Sequence, residues 1–169
     1  MPFTLALQQP TAPPRITDIE PLKEDFESLI IGTCGALART DCRFSVSGFG
    51  DNSWPVDIDY DLAAVLQQTP DLIEDLRAGD EAGLDFYSPH LERNLEFAML
   101  GDLVEITCTS DTGWKPDPGT EYVPWPELER MLTTLAQNFA NYLYRIDPAL
   151  DELWPLPDWR RGTVPGLGR

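Results

Sequence analysis

From Pro126 to Ile146 the apolar residues fall at Leu128, Met131, Leu132, Leu135, Phe139, Leu143 and Ile146. Spacings of three and four place them on one stripe of a helix over 126–146. A stripe that long has to be buried against a partner surface of matching extent. The stretch before it offers one. Gly101-Asp102 separates two runs of strict alternation, Leu95, Phe97 and Met99 on one side and Val104, Ile106 and Cys108 on the other. A glycine in a two-residue loop supplies the positive φ of primed turns, so the pattern predicts an antiparallel hairpin over 94–110.

Earlier segments add to this frame. Leu22, Phe26, Leu29, Ile30, Thr33 and Leu37 predict a helix over 20–37, with Pro21 acceptable in its first turn. Residues 44–49 alternate with Phe44 and Val46 inward, and Asp51–Ser53 belong to a loop. Residues 56–60 alternate again. Val56, Ile58 and Tyr60 share one face, while Asp57, Asp59 and Asp61 share the other. Two short helices are expected over 62–68 and from Pro70 to the stop at Gly79, followed by a strand at 84–87. Strands cluster without regular βαβ alternation. The expected class is α+β, a mostly antiparallel sheet with two long helices packed on one face. The proline-rich residues 1–17 read as a loose leader, 18–160 as a single domain and 161–169 as a flexible tail.

Charge narrows the function classes. There are 29 Asp and Glu against 12 Lys and Arg in 169 residues, a net charge of −17. Such a surface repels phosphate backbones and anionic membranes, so neither nucleic acid nor membrane is an expected partner. It favours a basic protein and speeds association with one. No apolar run reaches the roughly 20 residues of a membrane helix, and the N-terminus lacks the pattern of a secretory signal. The expected location is the cytoplasm. Three cysteines (Cys34, Cys42 and Cys108) without a CxxC, and one histidine (His90), give little support for a zinc site, a disulfide framework or a catalytic triad, and no cofactor is expected. Cys34 and Cys108 read as small buried apolar residues. His90 and Ser88 read as ordinary turn residues, and Trp114, Trp125, Trp154 and Trp159 as covers for the ends of the core.

Two groups of residues carry candidate chemistry. The first is the run Asp57-Ile58-Asp59-Tyr60-Asp61 downstream of Ser47-Gly48-Phe49-Gly50. Strand, glycine turn and Asp-x-Asp resemble the core of polymerase-β-type nucleotidyltransferases. That resemblance implies Mg²⁺ held by Asp57 and Asp59, a triphosphate approached at Gly48, and a third carboxylate from Asp85, Glu96 or Glu105. The chain departs from the family in placing Phe49 after Gly48, and it has no Lys or Arg from Phe44 through Leu76.

The second is an acidic surface. Between Gly50 and Glu92 stand Asp51, Asp57, Asp59, Asp61, Asp71, Glu74, Asp75, Asp80, Glu81, Asp85 and Glu92, opposed only by Arg77, with Trp54 and Tyr60 among them. Rings supply anchors and carboxylates supply steering, so Asp51, Trp54, Asp57, Asp59, Asp61, Glu74 and Asp75 are the expected contacts for a basic protein. A small acidic α+β chain with Phe49–Val56, Leu84–Tyr87, and Ile106–Ser110 followed by Trp114-Lys115-Pro116 resembles bacterial immunity proteins over residues 43–159. The resemblance implies a non-catalytic inhibitor of a toxin. The nucleotidyltransferase reading is the alternative.

Overall fold

A computed structural model describes residues 2–11 and 25–167. The four-stranded sheet is antiparallel throughout, in the order β3 (Ala82–Phe86), β4 (Arg93–Leu100), β5 (Leu103–Ser110), β6 (Thr120–Pro124). The hairpin expected at Gly101-Asp102 joins β4 to β5, with Gly101 at φ 62° and Leu100 opposite Leu103. Period two then puts Leu95, Phe97, Val104 and Ile106 on one face, where all four are buried. β6 was missing from the sequence reading. Its inward positions are Glu121 and Val123, and a charged residue at a core position hides the alternation.

α3 (Trp125–Ile146) carries the predicted stripe. Its 22 residues span about 33 Å, and Leu128, Leu132, Leu135, Phe139 and Leu143 are buried along it. Each fully buried side chain of this kind contributes about 1.5–3 kcal/mol of transfer free energy. α1 (Phe26–Leu37) begins where the Asp25 carboxylate accepts the Ser28 N–H at 2.7 Å. Residues 20–24 of the expected first helix lie outside the described residues.

Three expectations are corrected. The loose leader contains β1 (Thr4–Gln8), which pairs antiparallel with β2 (Arg43–Ser47), Leu5 opposite Val46 and Leu7 opposite Phe44. Phe3, Leu5 and Leu7 are buried, and the ribbon is tied to α3 by Tyr142, whose hydroxyl donates to the Leu7 carbonyl at 3.2 Å. The strand expected at 56–60 is instead a π-helical turn, Ile58–Leu62, that runs into α2 (Ala63–Arg77). The Asp57 carboxylate accepts the Tyr60 and Asp61 N–H groups at 2.7 and 3.0 Å, and this capping overrides the alternating pattern. Nor do residues 62–79 form two helices. Pro70 lies inside α2, where its missing N–H is tolerated. Thr69 and Gln68 donate their side chains to the carbonyls of Val65 and Ala64 in the preceding turn.

A 3₁₀ turn (Pro148–Glu152) and α4 (Leu156–Arg160) follow α3, with Trp159 buried, and in the expected tail at 161–169 Val164 is buried as well. Arg160 grips Asp151 with two parallel bonds of 2.9 and 2.8 Å. Residues 168–169 lie outside the described residues. No described helix is long and apolar enough to cross a membrane.

Candidate functional site

The seven expected contact residues separate into five environments. Asp51 and Trp54 belong to an internal assembly around Arg93. The Arg93 guanidinium lies 3.6 Å from the Trp114 ring centre and 4.5 Å from that of Trp54, and its Nη1 reaches Asp51 Oδ2 at 3.0 Å. Trp54 is 3% exposed, with its indole N–H donated to the Gly48 carbonyl at 3.1 Å. It therefore has no surface to offer a partner, which corrects the expectation for this residue. Asp51 is engaged in holding the buried cation.

The glycine turn is built for close packing. Gly48 and Asp51 exchange backbone bonds of 2.9 and 3.1 Å. Gly48 (φ 138°) sits against Phe3 and Glu121, Phe49 is fully buried at φ 57°, and Gly50 (φ 85°) abuts the Asp117 carbonyl. A side chain at Gly50 would collide with that carbonyl. Glu121 closes the arrangement by accepting the Phe49 N–H at 3.1 Å. The backbone that a triphosphate would have to approach is thus covered by protein.

Asp57, Asp59 and Asp61 also part company. Asp57 caps the π-turn. Asp61 is 0% exposed and accepts from the Ser88 hydroxyl at 2.7 Å and the Asp57 N–H at 2.9 Å. Asp59 faces the groove described next, while Asp57 lies with Arg43 on a separate, shallower one. The adjacent-strand carboxylate pair that the nucleotidyltransferase resemblance implies is not formed, because residues 58–62 are a helical turn with Asp57 as its cap. Among the described residues, no three Asp, Glu, His or Cys side chains converge at metal-binding spacing.

The groove that Asp59 enters has a volume of about 600 Å³, in the range of ligand and side-chain recognition sites. α1 contributes Glu27 and Ile31, the π-turn Asp59 and Tyr60, and α2 one continuous face with Ala64, Gln67, Gln68, Asp71 and Asp75. Gly83 and Tyr87 form the far wall. Gln68 fastens the two sides: it donates to the Asp85 carbonyl at 2.9 Å and accepts the Asp85 N–H at 2.8 Å. Ile31, Tyr60 and Tyr87 are each about half exposed. Burial, with the Asp85 carboxylate beside it, pushes the Tyr87 phenol upward, so it stays a neutral donor. Among the described residues, no Lys, Arg or His lines the groove. The Glu27, Asp59 and Asp75 carboxylates beside half-exposed rings give a concave site that attracts a cation and can cover its apolar stem.

None of the protein families, curated proteins or solved structures compared with the chain matches it. The site therefore has to be read from its own geometry.

Of the remaining expected contacts, Asp75 lines the groove, whereas Glu74 is turned toward the C-terminal segment and lies against Gly166. Glu27, Asp71 and Tyr87 line the groove without having been singled out, and Tyr60 was noted only as a neighbour. Splitting α2 at Pro70 had hidden the i, i+4 relation of Gln67, Asp71 and Asp75.

The three thiols lie outside this chemistry. Cys34, Cys42 and Cys108 are free and buried. Burial raises all three: Cys34 strongly, with Asp59 adding to it, Cys42 to about 12 and Cys108 to about 11. The folded state holds these protons more tightly than the unfolded chain, whose thiols titrate near 9.0. For Cys42 and Cys108 the contribution to stability is complete below pH 9 and disappears as the pH rises through 11 to 12. The melting temperature should therefore fall over that alkaline window, and Cys42→Ala should make the fall shallower. The native protein should resist maleimide near neutral pH, with all three thiols reacting once it is unfolded. Rapid labelling of the native state would contradict this.

Proposed function

We propose that this chain is a non-catalytic cytoplasmic immunity or inhibitor protein that docks on a basic protein partner, such as a toxin, through the groove between α1, the π-turn, α2 and β3. The supporting observation is the lining itself: Glu27, Asp59 and Asp75 around Ile31, Tyr60 and Tyr87, with no basic residue among the described ones. Lysine or arginine side chains of the partner enter the groove. Their aliphatic stems cover the rings while their charged ends meet carboxylates. Inhibition is steric and electrostatic: the acidic wall occupies a cationic site on the partner, where carboxylates stand in for phosphates. The charge of −17 raises the encounter rate from a distance, and the groove fixes the register.

The test is capture from native lysate at low salt, elution by a salt gradient, and kinetics on the eluted protein. A basic protein should be retained. Asp59→Asn/Asp75→Asn should slow its association about tenfold at low salt and flatten the salt dependence. An unchanged on-rate for that variant would overturn the assignment of the groove.

A further inference from the structure

Among the described residues, no helix covers the side of the four-stranded sheet facing away from the core. Register fixes what it displays. One cross-strand row is Gly83, Glu96, Thr107 and Thr120; the next is Ala98, Glu105 and Tyr122; the row at the hairpin end is Leu100, Leu103 and Pro124. Leu100, Leu103 and Tyr122 are each about half exposed and occupy neighbouring positions. Beside them lies a second groove of about 490 Å³ whose charged lining among the described residues is Asp75, Glu81, Glu96 and Glu105. Asp75 and Gly83 belong to both grooves, so the two form one continuous surface. Large exposed apolar side chains next to one another on an otherwise charged sheet mark an interaction surface.

We infer that this outer sheet face is a second docking surface, and that its occupant is a segment of a partner protein presenting apolar side chains between arginines or lysines. The inference rests on the reading above for the basic character of the partner. Charge complementarity with Glu96 and Glu105 orients the segment, and Leu100, Leu103 and Tyr122 cover its apolar side chains. The net negative charge of the chain disfavours a second copy of itself on the same face.

The experiment uses two fluorescein-labelled peptides of equal length and charge, one alternating arginine with leucine and one alternating arginine with serine, read by anisotropy. The leucine peptide should bind the wild-type protein about tenfold more tightly. Leu103→Ser/Tyr122→Ala, two exposed positions whose substitution leaves the core intact, should abolish that preference. Glu96→Gln/Glu105→Gln should weaken the leucine peptide and flatten its salt dependence. Equal binding of the two peptides, or a preference that survives Leu103→Ser/Tyr122→Ala, overturns the inference. The groove between α1 and α2 is scored separately by Glu27→Gln/Asp59→Asn, which should weaken the serine peptide. If it does not, the first reading fails while the sheet-face result still stands on the leucine preference.

Discussion

Arg93→Ala should lower the unfolding free energy by about 3–5 kcal/mol, the scale for removing one member of a buried ion pair. At about 2–4 °C per kcal/mol for a domain of this size, the melting temperature should drop by roughly 10 °C. The side chain is 5% exposed, stacked between Trp54 and Trp114 and paired to Asp51. Its Nε has no hydrogen-bond partner, so stacking and a single ion pair hold a cation that would otherwise be strongly hydrated. Truncation removes three things together: the attraction to two rings, the partner of Asp51 and the volume between the indoles. Lysine restores the charge but neither the planar stack nor the reach to Asp51, so Arg93→Lys should recover only part of the loss. Arg93→Met fills the slot without a charge and should be less damaging than alanine, because Asp51, only partly buried, can be hydrated. Urea unfolding followed by tryptophan fluorescence reads these variants directly. A cost below about 1 kcal/mol for Arg93→Ala would mean that the stack contributes no more than an exposed pair.

The same assembly shows where sequence patterns stop being informative. Periodicity locates α3 and the β4–β5 hairpin because, Arg93 at the start of β4 apart, the inward positions of the hairpin are apolar. It was silent on β6, whose inward position is Glu121, and it gave no reason to place Arg93 inside. A buried cation looks like a surface residue until the two rings and the carboxylate that enclose it are known, and those come from segments far apart in sequence. β1 was legible in principle: Phe3, Leu5 and Leu7 alternate, but five residues between prolines carry little weight without their partner β2. At the site, charge density pointed to the correct stretch of chain but not to the correct side chains. Asp57, Asp59 and Asp61 read as one strand face. A single capping interaction by Asp57 turned the segment helical and sent one carboxylate to a cap, one to a groove and one into the interior. Which carboxylates remain free for a partner is decided by such local hydrogen bonds, and composition does not record them.

Trp159→Ala should cost about 3–5 kcal/mol, the usual range for emptying a large buried aromatic site. Trp159 is fully buried in α4, edge-on to Phe26 of α1 at 5.9 Å and tilted against Phe139 of α3 at 6.2 Å. It links the C-terminal segment to two helices that are remote in sequence. It is therefore part of the core, and not merely a cover over its end. A phenylalanine should behave differently. The indole N–H of Trp159 is buried without a hydrogen-bond partner among the described residues, so Trp159→Phe discards an unsatisfied donor along with some volume. The two effects oppose, and the net loss should stay below about 1.5 kcal/mol. Calorimetry on both variants separates the contributions. If Trp159→Phe proves as costly as Trp159→Ala, the indole N–H has a partner in solution. If both are mild, α4 is docked weakly and the C-terminal segment contributes little to the stability of the fold.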